Sequence, residues 1–234
     1  MDALIFDLAL HRLSKNVISK LQELADPQKF VKVGEDHPAL HFERMYENGE
    51  ISRLEYLMLH SRVILNDFCY MMEEKIGHGV VCCFTFYSKE RHKLFFGAGG
   101  NYPKLLRKLY HNNPPTVCLE TDLHYSDNEL LIINNLDQWV EVGDWEDYVP
   151  AYRKTKVRSF ISKRLRKNDF TFGTFETCFP YENGPTSEIA KLIRKEVQPI
   201  KEELYHIRNE MVQILDMMPE ALLLTEEKAL SNYY

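Results

Sequence analysis

The chain has 234 residues and a mass of 27.6 kDa, enough for one full domain with an extension and short for two large ones. Hydrophobic residues at 44% and charged residues at 27% support a packed core and argue against global disorder. A net charge of −6 removes the overall positive field that non-specific nucleic-acid binding uses, and no run reaches the about 18 apolar residues of a membrane span.

Asp2 and Asp7, with no basic stretch before an apolar one, argue against a secretory signal. In chain order, Leu4, Ile5, Leu8, Leu13, Val17, Ile18, Leu21 and Leu24 recur at helical spacing and predict a helix over 3–24, ended by Asp26-Pro27. A short helix over Pro38 to Glu47 stops at Asn48-Gly49. Ser52-Arg53-Leu54-Glu55 has the form of a capping box and opens a helix to about Ile76, closed by Gly77 and Gly79. Val80 to Tyr87 is apolar and rich in β-formers. It predicts a strand that turns at Ser88-Lys89-Glu90-Arg91 and returns over His92 to Gly97. Gly97-Ala98-Gly99-Gly100 is a loop, and Tyr102 to His111 a short helix with Pro103 in its first turn. Short strands are expected at 116–121 and 129–134, and a helix over Trp145 to Thr155 with Asp144 as its cap. Val157 to Leu165 and Phe170 to Phe179 form a second hairpin, and the last helix runs from near Thr186 to Met218 with a kink at Pro199. Helices flank grouped hairpins without a βαβ rhythm, so the expected class is α+β with an antiparallel sheet.

The five cysteines, Cys69, Cys82, Cys83, Cys118 and Cys178, are odd in number and none pairs at C-x-x-C spacing. Buried thiols in a reducing cytoplasm are the expectation, with Cys82 and Cys83 on opposite faces of one strand.

Three stretches resemble the GAF domain family of small-molecule sensors found in bacterial signalling proteins. The first runs from Val80 through Gly97-Ala98-Gly99-Gly100-Asn101-Tyr102-Pro103 into a helix. The second is Leu131-Ile132-Ile133-Asn134-Asn135-Leu136-Asp137, followed by Asp144-Trp145-Glu146-Asp147-Tyr148 and Val157-Arg158-Ser159-Phe160. The third is Phe172-Gly173-Thr174-Phe175-Glu176, followed by Pro185-Thr186-Ser187-Glu188. The match covers roughly residues 55–215. It departs from the family pattern at Arg164-Leu165, where Pro-Leu is usual, and at Lys156, where Gly is usual. The resemblance implies a GAF/PAS-like, six-stranded antiparallel sheet flanked by helices, with an extra helical N-terminal segment. One face of the sheet packs on the first and last helices, and the other encloses a ligand cavity. The expected division is a helical extension over 1–50, a GAF-like domain over 51–218 and a tail over 219–234.

The aromatics Phe84, Phe86, Tyr102, Trp145, Tyr148, Phe160 and Phe175 are the candidate pocket lining, because an apolar body with a polar tip suits a small organic ligand. They serve equally as ordinary core. Ser162 and Lys163 join the candidate ligand-binding set, Lys163 as a pairing group for an anionic ligand if it points inward. Lys163, Arg164, Arg166 and Lys167 otherwise read as a solvated hairpin. His37 and His41 at i, i+4 with Glu43 nearby invite a metal reading, but no third ligand stands at convincing spacing. The Gly97 to Gly100 loop is no phosphate-binding loop, since no Gly-Lys-Ser/Thr follows. No catalytic or metal-binding residue is assigned, and no cofactor is named by the sequence.

The expected function is a non-enzymatic sensory or regulatory protein that binds a small molecule, of unknown identity, in an aromatic-lined cavity. It signals through its flanking helices to a protein partner. The alternatives are a GAF-fold thiol-dependent enzyme acting on a small oxidised metabolite, for which Cys118 is the residue to test, and a ligand-free dimerisation module. The stripe Ile189, Leu192, Ile193, Val197, Ile200, Leu204, Ile207, Met211, Ile214 and Met218 is longer than one sheet needs, so a homodimer through the first and last GAF helices is expected. Membrane and direct nucleic-acid partners are not.

Overall fold

The computed structural model describes residues 37–88, 92–116, 129–138, 148–168 and 170–217. The expected helix over 3–24, most of the strand over 116–121, and Cys118, Asp144 and Trp145 lie outside these residues.

Helix α1, Pro38–Glu47, begins with proline at its first position, where no amide is needed, and its N-cap is His37, whose Nδ1 accepts the Ala39 amide at 3.3 Å. Helix α2, Arg53–Ile76, opens on the expected capping box. The Glu55 amide donates to Ser52 Oγ at 3.2 Å, and the Ser52 amide donates to Glu55 Oε2 at 2.8 Å. It stops at Gly77, whose φ of +73° a side-chain-bearing residue adopts only at a cost.

Strands β1, Val81–Ser88, and β2, Lys93–Ala98, form the first hairpin. Helix α3, Lys104–Asn112, follows the glycine loop. Strand β3, Leu130–Ile133, a 3-10 turn at Leu136–Gln138 and helix α4, Tyr148–Lys154, precede the second hairpin. That hairpin pairs β4, Ser159–Lys167, with β5, Phe170–Phe179. Helix α5, Ser187–Asp216, closes the described chain, with the Thr186 hydroxyl accepting the Ile189 amide at its start.

The sheet has the order β2-β1-β5-β4-β3, and every neighbouring pair is antiparallel. The described residues thus give five strands where the resemblance implies six. Of the expected strand at 116–121 only Thr116 is described, and it makes a single bridge to Lys93.

Side chains of a strand alternate between faces, and here each face has its own core. On one face Phe84, Phe86, Ile161, Leu165 and Phe175 pack under α2 and α5. On the other, Cys83, Tyr87, Leu94, Phe160 and Cys178 pack under α3, the 3-10 turn and α4. Cys82 and Cys83 are adjacent and fall in different cores. Between Leu165 and Arg166 the pairing with β5 shifts from Gly173 to Thr171, which makes Phe172 the extra residue of a β-bulge and returns its ring to the helix side.

Helix α5 is 30 residues long, ~45 Å by helical rise, and continues through Pro199. Its stripe Ile193, Val197, Ile200, Leu204, Ile207 and Met211 is buried against the protomer's own sheet and α2. These six residues of the expected stripe are therefore covered within one protomer, while Ile189, Leu192 and Ile214 are half-buried. Ion pairs outside the stripe, Lys75 with Glu196 at 2.8 Å and Lys167 with Glu202, tie α5 to α2 and β4.

Candidate functional site

Strand β5 is central, and its alternation carries Glu176 onto the face covered by α3 and α4. Its register partners are Cys83 on β1 and Ser162 on β4. The residue is 3% exposed. Oε1 accepts from the Tyr110 hydroxyl at 3.2 Å and the Thr174 hydroxyl at 3.4 Å. Oε2 accepts from the hydroxyls of Tyr102 at 3.3 Å and Tyr152 at 3.4 Å, and from the Cys83 thiol at 3.7 Å. Tyr102 and Tyr152 also share a hydrogen bond of 2.8 Å with each other. Every one of these donors is neutral. Burial pushes the Glu176 carboxyl above its ordinary value, and the tyrosine and threonine donors offset only part of that shift. Burial likewise pushes the Tyr102, Tyr110 and Tyr152 phenols well up, so they stay protonated donors.

The rings form a continuous layer over this carboxylate. Phe96 stacks on Tyr102 at 5.9 Å, Tyr148 meets Tyr110 edge-on at 5.3 Å, and Tyr152 stacks on Phe160 at 5.9 Å. The Tyr148 hydroxyl donates to the Asn113 carbonyl at the end of α3, which ties α4 to α3.

A cleft of about 620 Å³ opens at one end of this layer. Its walls are the start of β1 at Val81, the end of β5 at Cys178 and Phe179, the first turn of α3 at Pro103 to Leu105, and the α4–β4 connection at Thr155 to Val157. Val81, Leu105 and Val157 make the lining largely apolar, while Lys104 and Lys156 stand exposed on its rim.

The wall that carries Tyr102 and Pro103 is fastened to helix α2. Glu73 accepts the Cys82 amide on Oε1 at 2.7 Å and the Asn101 side-chain amide on Oε2 at 2.6 Å. Asn66 Oδ1 accepts the Gly99 amide at 2.9 Å. Pairing between β1 and β2 begins only at Phe84, so the Cys82 amide lies beyond that ladder and Glu73 takes the place of a strand partner. Gly99, at φ +143°, makes the approach possible, since a Cβ there would sit 2.6 Å from the Cys82 carbonyl oxygen.

The structure divides the sequence-predicted set by sheet face. Phe84, Phe86 and Phe175 lie on the helix side, where Phe84 and Phe175 meet Phe68 of α2 at ring distances of 5.6 and 5.3 Å. They do not share a cavity with Tyr102, Tyr148 and Phe160, which lie in the covered layer. The reason is register: Phe84 stands opposite Phe175, and Phe160 opposite Cys178. Ser162 is buried on the covered face beside Glu176. Lys163 points the other way and donates to Glu129. Burial holds its ammonium below the ordinary value, against the pull of that carboxylate. Trp145 lies outside the described residues.

The four described cysteines, Cys69, Cys82, Cys83 and Cys178, are buried. Burial raises all their thiol pKa values, the opposite of what thiolate chemistry needs. His37 pairs with Asp67 at 3.2 Å in addition to its capping role. Among the described residues no three His, Cys, Asp or Glu side chains gather to hold a metal, and no helix is long and apolar enough to cross a membrane.

Glu176, Glu73, Tyr110 and Tyr152 were not singled out from the sequence. One signal was present for Glu176: a lone carboxylate in the strand 170–179, which is otherwise apolar, threonine or glycine. Such a residue is either at a sheet edge or buried with partners.

No family model matches the sequence, and no curated protein matches it. Solved structures do match. A domain of a two-component sensor histidine kinase protein from Sinorhizobium meliloti 1021 superposes with a TM-score of 0.51 at 8% identity, over 64% of this chain and 94% of that one. The GAF domain region of a membrane protein from Geobacter sulfurreducens PCA superposes with a TM-score of 0.51 at 11% identity, over 66% of this chain and 99% of that one. Identities this low speak for the fold alone. Together with the antiparallel sheet, the helix layer on one face and the covered cleft on the other, they establish that the chain has the GAF fold.

Proposed function

We propose that this protein is a non-enzymatic sensory module, in which a small molecule bound in the cleft beside the tyrosine layer changes the packing of the flanking helices. The observation that carries the proposal is the fastening of one cleft wall to α2. Tyr102 and Pro103 belong to the loop that Asn66 and Glu73 hold. A ligand that displaces Tyr102 therefore acts on α2 through two buried or half-buried hydrogen bonds. Such a switch requires the ligand to bind two arrangements of this loop with different affinity. The output is contact with a protein in the cytoplasm, either a second copy or another chain, through the outward faces of α2 and α5.

A ligand-free module is the second reading, favoured by the tyrosines that fill the space over Glu176. Native mass spectrometry of freshly purified protein, compared with the same sample denatured, separates the two. A small-molecule mass lost on denaturation supports the sensor. A clean dimer with no bound mass, and no response to added ligands, supports the ligand-free module.

A further inference from the structure

Behind the wall of the cleft, outside its lining, lies a buried carboxylate that bears on the class of ligand. Glu176 accepts from five groups, all neutral, and no lysine, arginine or histidine among the described residues hydrogen-bonds to it. It lies two residues along β5 from Cys178, which lines the cleft and points to the same face, a separation of roughly 7 Å. Between them stands the Tyr102 hydroxyl, which neighbours the Cys178 thiol and reaches Oε2 at 3.3 Å. A carboxylate at this depth has its hydrogen bonds, but among the described residues they come from no cation.

We infer that the cleft receives a small organic amine, with its ammonium group seated on Glu176 in place of the Tyr102 hydroxyl and its apolar body along Val81 and Val157. This inference rests on the sensory reading and names its ligand class. An ammonium supplies three donors and a charge, and a charge-assisted hydrogen bond is about twice as strong as a neutral one. A neutral alcohol offers only another donor of the kind Glu176 already has, and an anion is repelled. The exposed Lys104 and Lys156 on the rim disfavour positive charge at the mouth. They orient the ligand with its amine inward and suit an anionic or dipolar outer end, while solvent screens them more strongly than it screens the buried carboxylate.

The test is calorimetric titration of the full chain with four probes of matched shape: benzylamine, 4-(aminomethyl)benzoate, benzyl alcohol and benzoate. The two amines are expected to bind at least ten-fold more tightly than the alcohol and benzoate. Glu176→Gln is expected to erase that preference while leaving the circular dichroism spectrum unchanged. If Glu176→Gln does not fold, Tyr102→Phe takes its place. Removing the competing hydroxyl should tighten benzylamine at least three-fold without tightening benzyl alcohol. Equal binding of alcohol, benzoate and amine overturns the inference, as does a preference that survives Glu176→Gln or a Tyr102→Phe variant with no gain for benzylamine. Binding of benzoate or benzyl alcohol alone would still leave the sensory reading standing. If none of the four binds, the amine class is wrong, and native mass spectrometry decides the sensory reading separately.

Discussion

Glu73 supports two structures at once, and its removal is quantifiable. In Glu73→Ala the buried Cys82 amide loses its acceptor, since β2 does not reach it. An orphaned buried donor costs about 1–3 kcal/mol. The Asn101 amide loses a second bond, but Asn101 is exposed and water replaces Glu73 there, so only the net value of about 0.5–1.5 kcal/mol is lost. The sum is about 2–4 kcal/mol. At roughly 2–4 °C per kcal/mol for a chain of this size, Tm falls by about 5–15 °C. Glu73→Gln behaves differently. Its single carbonyl keeps the Cys82 amide, and Asn101 turns its own carbonyl toward the new amide, for a cost below about 1 kcal/mol. Thermal and urea unfolding followed by circular dichroism measure both variants. Hydrogen exchange at the Gly99 amide should be faster in Glu73→Ala, because the loop has lost one of its two ties to α2. An alanine variant within about 0.5 kcal/mol of wild type refutes the reasoning. A glutamine variant as damaged as the alanine one also refutes it, by showing that charge rather than acceptor geometry holds the loop.

Three further outcomes follow from the same packing. Gly173→Ala places a Cβ 1.9 Å from the Thr85 carbonyl oxygen across the β1–β5 pair. It should cost more than about 3 kcal/mol, against about 1–2 kcal/mol for Gly49→Ala, where positive φ is the only obstacle and nothing lies within 4 Å; equal unfolding midpoints for the two would contradict this. For Glu176, burial holds the folded-state pKa above the ordinary 4.5, so its contribution is present below that value and lost as pH rises through the folded value. The stability of Glu176→Gln relative to wild type should therefore grow with pH above about 4.5; a flat difference across the titration would show that the carboxyl is not held up. Thiol labelling of native protein should modify no more than one of the five cysteines, since four are buried, and all five after denaturation; rapid native labelling of two or more would contradict the burial.

The fold was legible because its punctuation is local. Ser52 and Glu55 announce α2, Pro38 announces α1, and Thr186 caps α5, each through bonds made within a few residues. The site was much less legible because its residues are brought together by register. Phe84 and Phe175 look as suitable for a pocket as Phe160, and only the strand pairing shows that they face the helices. Tyr102, Tyr110, Tyr152 and Glu176 come from a loop, two helices and a strand, and no spacing in sequence connects them. The apolar stripe on α5 was visible, but what covers it is a tertiary fact. Its own sheet and α2 do so.

The separation of the two cores by a single sheet sets how the protein can change over generations. Cys82 and Cys83 are neighbours in the chain, yet a substitution at one is felt by the helix layer and at the other by the tyrosine layer. Under the proposed sensory role, the covered face can be rewritten for a new ligand while the outward faces of α2 and α5 are inherited intact. The residues excluded from that freedom are those that bridge the divide. Asn66 and Glu73 tie the loop at Gly99 and Asn101 to α2, and a descendant that lost these bonds would keep both halves and lose that tie.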